Sequence, residues 1–98
     1  MAKKSSVGHP AWVRKLQDAL GKALVAASNQ AVAIDWTIEK VSGTNLYRFV
    51  VRSAVFDKMT YSERQVYVWR IAQTTLGPEG SLLISMIVTL GRSEAAVA

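Results

Sequence analysis

The chain contains no cysteine among its 98 residues. This absence excludes disulfides, thiolate nucleophiles and cysteine-based zinc or iron–sulfur ligation by the protein itself. The chain also lacks an apolar run of about 18 residues or more, and its start, MAKKSSVGHPAW, has no apolar stretch of the signal-peptide kind. We therefore expect a cytoplasmic protein without a membrane span.

The residues that are present suit one small, basic domain. Half of them are apolar, which is enough for one modest core. Twelve Lys and Arg against seven Asp and Glu give a net charge of +5, which attracts phosphate backbones and anionic surfaces. The bases are scattered, however, a pattern equally typical of a well-solvated surface. We expect a flexible basic tail over 1–9, a single domain over 10–94 and a second tail over 95–98.

Two segments have the three-to-four spacing of amphipathic helices. The first begins at Pro10 and runs to about residue 27, and the residues predicted to line its inner face are Val13, Leu16, Leu20, Leu24 and Ala27. The second covers about 61–76, from a Thr60–Glu63 capping box to a stop at Gly77-Pro78, with room for a short extra helix near 76–81. Its predicted inner residues are Tyr61, Val68, Ile71, Ala72, Thr75 and Leu76.

Alternation with a period of two predicts a hairpin between these helices. Its first strand starts at Ala31, the turn lies at 42–45, and the second strand follows with Tyr47, Phe49 and Val51 on its core face. Pairing across the turn places two opposite charges against each other on the outer face, Glu39 with Arg48 and Asp35 with Arg52. Each such pair stabilises a hairpin by about 0.2–1 kcal/mol. Because its arginines would be paired, the outer face is a poor candidate for binding phosphate.

The segment SLLISMIVTL, residues 81–90, is predicted to form the last strand. Alternation assigns to the helix side Leu82, Ile84, Met86, Val88 and Leu90. It assigns to the open side Leu83, Ser85, Ile87 and Thr89. Leu83 and Ile87 would then form a small apolar strip with Val50. The predicted fold is α+β, in the order α-β-β-α-(short α)-β, with a three-stranded mixed sheet and both helices on one face.

Residues able to perform catalysis are scarce. His9 is the only histidine, and no cysteine or ligand spacing accompanies it. Asp35 and Glu39 share a strand face, but the hairpin register gives each an arginine partner, which disfavours a paired-carboxylate site. We therefore predict a non-enzymatic protein with no cofactor and no metal.

The segment SAVFDKMTYSERQVYVW, residues 53–69, resembles the corresponding part of the BolA-like family, whose fold is similar to the type II KH domain. Ser53, Phe56 and Arg64 stand where that family has the same residues, and Val68-Trp69 replaces its Val-Tyr. Near the end of the chain, Thr89-Leu90 followed by Glu94 is similar to the family's closing strand. In element order the resemblance covers nearly the whole chain.

Three departures from the family pattern bear on its chemistry. Lys58 replaces a glycine, Gln65 replaces the histidine of an Arg-His pair, and Leu83 stands where the family has its last histidine. The resemblance implies that this last histidine serves an iron–sulfur cluster shared with a monothiol glutaredoxin. Leucine cannot ligate iron, so we expect the scaffold without iron–sulfur ligation.

Two functions from different classes remain open at the level of sequence. The first is a nucleic-acid-binding, regulatory module of KH-like shape, with Lys58, Arg64 and Arg70 around the second helix as binding residues and Arg52 as a weaker candidate. The second is a protein–protein adaptor or homodimerisation module that uses the open sheet face at Val50, Leu83 and Ile87. The net positive charge favours the first, and the exposed aliphatic strip favours the second.

Overall fold

A computed structural model describes residues 9–28 and 33–94. It contains α1 (Ala11–Ser28), β1 (Asp35–Lys40), β2 (Tyr47–Arg52), a 3-10 helix (Ala54–Lys58), α2 (Tyr61–Ser81) and β3 (Ile84–Leu90). This confirms the predicted α+β class and element order. The predicted tail residues 1–8 and 95–98, and the predicted link at 29–32 with the start of the first strand, lie outside the described residues. Within the described ranges, no helix is long and apolar enough to cross a membrane.

The three strands form one mixed sheet with β2 in the centre. β1 pairs with β2 antiparallel, and β3 pairs with β2 in parallel. The predicted hairpin register is confirmed, with Glu39 opposite Arg48 and Asp35 opposite Arg52. Glu39 and Arg48 form an ion pair of 3.0 Å. Arg52 instead directs its guanidinium to carbonyl oxygens beyond β3, and no ion pair joins it to Asp35 among the described residues.

The core lies between the helices and the inner face of the sheet. α1 contributes the predicted residues Val13, Leu16, Leu20 and Leu24, whereas Ala27 is exposed because α1 has nearly ended there. β2 contributes Tyr47, Phe49 and Val51 as predicted. The 3-10 helix adds Phe56, which is fully buried against this cluster.

The Thr60–Glu63 capping box is present at the start of α2. The Thr60 hydroxyl accepts from the Glu63 amide at 3.1 Å, and the Glu63 carboxylate accepts from the Thr60 amide at 2.8 Å. A cap of this kind contributes about 1 kcal/mol. Near its other end α2 is kinked at Gly77, whose φ of 78° lies in the region that favours glycine, and residues 78–81 form the predicted short helical turn.

The predicted burial of one residue on the inner face of α2 is wrong. Tyr61 is 60% exposed, and the inner position one turn later is occupied by Arg64, which is only 7% exposed. Arg64 is absent from the predicted inner face, and arginine is rarely buried unless it is paired. The helix therefore buries a charged group near its N-terminus, and this group needs partners.

The predicted alternation of β3 is wrong after Ile84 because an extra residue interrupts the pairing with β2. Tyr47 pairs with Ile84, but the next residue, Arg48, pairs with Met86, so Ser85 bulges out of the ladder. The bulge reverses the side-chain phase of the rest of the strand. Ile87 is 2% exposed in the core rather than on the open face, and Met86 is 45% exposed rather than buried.

Two further residues of β3 follow the reversed phase. Thr89 is buried instead of facing outward, and Val88 is half-buried opposite Val50 on the open face. The Thr89 hydroxyl has no hydrogen-bond partner among the described residues. Leu82, predicted to face the helices, lies before β3 and is largely exposed.

Candidate nucleic-acid interface

The structure separates the four predicted phosphate-binding cations into two groups. Arg64 belongs to the first group, since its guanidinium is engaged inside the protein. It donates to both carboxylate oxygens of Glu94, at 2.7 and 3.0 Å, and to the carbonyl oxygens of Met59 and Thr89, at 3.2 and 3.4 Å. A bidentate guanidinium–carboxylate pair is among the strongest polar contacts in proteins. Arg64 is therefore a structural residue and is not placed to bind a phosphate.

Arg52 is held in the same region by the residues that follow β3. Its Nη1 atom donates to the carbonyl oxygens of Gly91 and Arg92, at 3.0 and 3.3 Å, and to that of Glu94. Asp57 accepts from the Arg92 amide at 3.0 Å, and the Glu94 carboxylate accepts from the Gly91 amide at 2.8 Å. We call this set, Arg52, Asp57, Arg64 and residues 91–94, the C-terminal clamp.

The clamp changes the ionisation of its two central groups. The hydrogen bond from Arg64 and a second one from the Gly91 amide lower the pKa of Glu94 from 4.5 to about 2. The hydrogen bond to Glu94 raises the pKa of Arg64 above its usual value, although burial opposes the shift. The folded protein therefore keeps the pair ionised from neutral pH down to about pH 2.

The lowered pKa of Glu94 predicts a loss of stability in acid. The unfolded chain takes up a proton at this carboxyl near pH 4.5, whereas the folded chain does so only near pH 2, so the contribution is complete above about pH 5 and disappears as the pH falls through about 2. We expect the free energy of unfolding of the natural protein to exceed that of Glu94→Gln above pH 5, and the two values to converge near pH 2. Urea denaturation at a series of pH values measures this difference. A difference independent of pH would contradict the assignment.

Lys58 and Arg70 form the second group of cations, and both are exposed. Lys58 ends the 3-10 helix and Arg70 lies in the third turn of α2, yet both line one shallow groove of about 580 Å³. Its other lining residues are Met59, Ser62, Glu63, Val66 and Tyr67. We call this surface the α2 groove.

The electrostatics of the α2 groove favour an anionic ligand. Neither Lys58 nor Arg70 forms an ion pair or a side-chain hydrogen bond within the described ranges. The carboxylate of Glu63 is engaged by the Thr60 amide in the capping box. Burial raises the pKa of Tyr67, which keeps its phenol neutral and able to donate a hydrogen bond. The groove thus combines two cations that have no ion-pair partner among the described residues, the capped carboxylate of Glu63, one aromatic ring and an apolar wall at Val66.

Tyr67 and Val66 were missed by the sequence reasoning, although the sequence contains a signal for them. Val66 and Tyr67 lie three and four residues after Glu63, and four and three residues before Arg70, the spacing that places side chains on one side of a helix. The prediction for α2 covered only the residues that face the core, so this outward-facing stripe received no function. The two basic residues were predicted, but not the aromatic ring between them.

The predicted apolar strip on the open sheet face is only partly present. Val50 lies there as predicted, whereas Ile87 is in the core and Leu83 precedes β3, with its carbonyl accepting from the Tyr47 amide at 2.9 Å. Because of the bulge, the side chains of Met86 and Val88 lie on the open face instead. The resulting strip is narrow and is bordered by the Arg48–Glu39 ion pair.

Gln65 has a structural role at the position where BolA-like proteins have a histidine. Its amide nitrogen donates to the Ile87 carbonyl at 2.9 Å, and its amide oxygen accepts from the Trp69 indole at 3.2 Å. It therefore attaches α2 to the outer edge of β3. No group of three or more His, Cys, Asp or Glu residues in the described part of the chain is arranged to hold a metal ion.

Comparison with known proteins finds no matching family model, no matching curated protein and no matching solved structure. The likeness to BolA-like proteins thus stays a prediction from residues 53–69 and the closing strand. The surfaces of this chain are therefore the evidence for its function.

Proposed function

We propose that this protein is a non-enzymatic nucleic-acid-binding module, a BolA-like scaffold without iron–sulfur ligation, and that the α2 groove is its binding surface. The observation that carries the proposal is the convergence of Lys58 and Arg70 on one groove that also contains Tyr67. Of the four predicted cations, these two are exposed and have no partner among residues 9–28 and 33–94. Free cations beside an aromatic ring supply both phosphate attraction and base stacking.

The limited size of the groove sets the expected strength of binding. Two cations neutralise about two phosphates, so the logarithm of the binding constant should fall with the logarithm of the salt concentration with a slope of about −1.4 to −1.8. Such binding is weak and general in sequence, because phosphate contacts position a nucleic acid without reading its bases. The proposal therefore predicts measurable binding at low salt and little binding at high salt.

The alternative function, an adaptor that binds through the open sheet face, has less support than nucleic-acid binding at the α2 groove. Of its three predicted residues, Ile87 is buried in the core, and Leu83 is half-buried and precedes β3. Met86 adds exposed apolar surface, but a few exposed aliphatic side chains are normal on a protein surface. We keep it as the alternative that the experiments below distinguish.

The test is a fluorescence anisotropy titration of a labelled oligonucleotide, single-stranded and double-stranded, at about 50 and 200 mM salt. We expect the double variant Lys58→Gln/Arg70→Gln to weaken binding at low salt by about tenfold or more and to flatten the salt slope by about 1.5. Each removed phosphate contact lowers the number of counterions that binding releases.

The matched control is Arg14→Gln/Lys15→Gln, which removes two exposed cations from α1. It has the same net charge as the Lys58→Gln/Arg70→Gln variant. This control should bind within about threefold of the natural protein, because its charges lie outside the α2 groove. Equal losses in the two double variants would mean that binding follows net charge alone. No binding of the natural protein at low salt would reject the proposed function.

A further inference from the structure

A second groove, of about 540 Å³, lies between α1 and the edge strand β1. α1 contributes Asp18, Gly21, Lys22 and Val25 to it, and β1 contributes the half-buried Trp36. Leu16, Leu20 and Leu24 occupy the other face of α1 and are fully buried in the core. The groove is therefore formed by a helix face that has no partner among the described residues.

Gly21 is not explained by the packing of this chain. It lies in the middle of an 18-residue helix, where glycine is less favourable than alanine. Its φ is not positive, and a Cβ atom built at this position would have no atom within 4 Å. Neither backbone geometry nor an internal contact therefore requires glycine here. A glycine facing an open groove is the residue that allows another backbone to approach closely.

The charges beside Gly21 are arranged so that they complement a second copy of themselves. Asp18 and Lys22 are one turn apart on the groove side of α1, and neither forms an ion pair with a described residue. In an antiparallel pair of α1 helices related by a two-fold axis at the level of position 20, next to Gly21, Asp18 of each copy lies opposite Lys22 of the other.

We propose that α1 is a homodimerisation surface, on which two copies of this chain cross antiparallel at Gly21 with Asp18 and Lys22 paired across the two-fold axis. The occupant of the groove is thus a second copy of the protein. One helix face and one tryptophan form a smaller surface than the roughly 800 Å² per partner of a stable complex, so the dimer is weak and reversible. The proposal is independent of nucleic-acid binding, because the α2 groove shares no residue with this one.

Sedimentation equilibrium of the full chain, from about 10 µM to about 1 mM, tests the proposal. We expect the average mass to rise with concentration from that of one chain toward that of two. Gly21→Gln should raise the dissociation constant by about tenfold or more, because its side chain occupies the crossing point. The control is Ala27→Gln, at an exposed position of α1 that does not line the groove, and it should leave the constant unchanged.

A charge exchange tests the two-fold pairing itself. Asp18→Lys alone and Lys22→Asp alone each place like charges opposite one another and should raise the dissociation constant by about tenfold. The double variant Asp18→Lys/Lys22→Asp restores opposite charges across the axis and should return the constant to within about threefold of the natural value. Thermal melts of all variants establish that they are folded.

Three results would overturn the proposal. The first is a natural protein that stays monomeric over the whole concentration range. The second is a double charge variant that associates as weakly as the single ones. The third is association that survives Gly21→Gln but is lost in Met86→Asp, since this would place the interface on the open sheet face.

Discussion

Replacing Arg64 by alanine is expected to lower the free energy of unfolding by about 3 kcal/mol, measured by urea denaturation at neutral pH. The guanidinium makes four hydrogen bonds from a site that is only 7% exposed, and they join α2 to the end of β3 and to Glu94. Alanine removes all four and leaves the Thr89 carbonyl without this donor. The loss is large beside the roughly 5–15 kcal/mol that stabilises a small domain.

The matched control for Arg64→Ala is Arg70→Ala. Arg70 lies on the same helix but is exposed and makes no ion pair among the described residues, so its loss should cost less than about 0.5 kcal/mol. Arg64→Lys should lie between the two, because lysine keeps the charge but cannot make the bidentate contact. Equal stability of Arg64→Ala and Arg70→Ala would show that the C-terminal clamp contributes little.

Replacing Phe56 by alanine should lower the free energy of unfolding by about 3–5 kcal/mol. Phe56 is fully buried in the core cluster, and it anchors the 3-10 helix that connects β2 to α2. Removal of its ring leaves a cavity that the surrounding helices cannot fill by small adjustments. Because the domain has little stability in reserve, we expect this variant to be partly unfolded at 37 °C, as measured by circular dichroism melting.

The comparison for Phe56→Ala is Tyr61→Ala, five residues later. Tyr61 is 60% exposed, so its removal should change the free energy of unfolding by less than about 0.5 kcal/mol. Sequence periodicity predicted the opposite for Tyr61, which makes the pair a direct test of the observed orientation of α2. Similar losses for both variants would contradict that orientation.

The two residues of the stability predictions, Phe56 and Arg64, hold in place the segment that carries Lys58 of the proposed binding surface. Phe56 fixes the 3-10 helix that ends at Lys58, and the guanidinium of Arg64 donates a hydrogen bond to the carbonyl oxygen of the adjacent Met59. The segment that carries Lys58 is therefore held at two points before α2 begins. We expect variants at Phe56 or Arg64 to reduce nucleic-acid binding only through loss of folding, whereas Lys58→Gln/Arg70→Gln should reduce it in a fully folded protein.

Much of the fold could be predicted from local sequence patterns. The capping box at Thr60, the inner face of α1 from Val13 to Leu24 and the hairpin register each depend on residues close together in the chain, and all three are confirmed. The register was accessible because the turn at 42–45 and the charge pairs Glu39–Arg48 and Asp35–Arg52 selected the same alignment.

The wrong predictions of side-chain orientation arise at a β-bulge and at a contact between residues far apart in the sequence. The bulge at Ser85 reverses the faces of residues 86–89 in β3, and no residue in SLLISMIVTL marks it, so simple alternation placed Ile87 and Met86 on the wrong faces. The partner of Arg64 lies 30 residues away at Glu94, a distance over which sequence spacing gives no information.

The same contrast applies to the candidate site. Lys58 and Arg70 were predicted from charge and position, but the prediction also included Arg64 and Arg52, which the C-terminal clamp engages. Composition can count cations, whereas only tertiary contacts decide which of them are free. The two without a partner among the described residues line one groove together with Tyr67.

The most direct test of the proposed binding surface is an amide ¹H–¹⁵N NMR titration of the natural protein with a short oligonucleotide at low salt. The account predicts chemical-shift changes concentrated in residues 58–70, along the α2 groove, with α1 and the sheet face unaffected. Changes that are spread over α1, centred on β3 at Met86 and Val88, or absent altogether would contradict it.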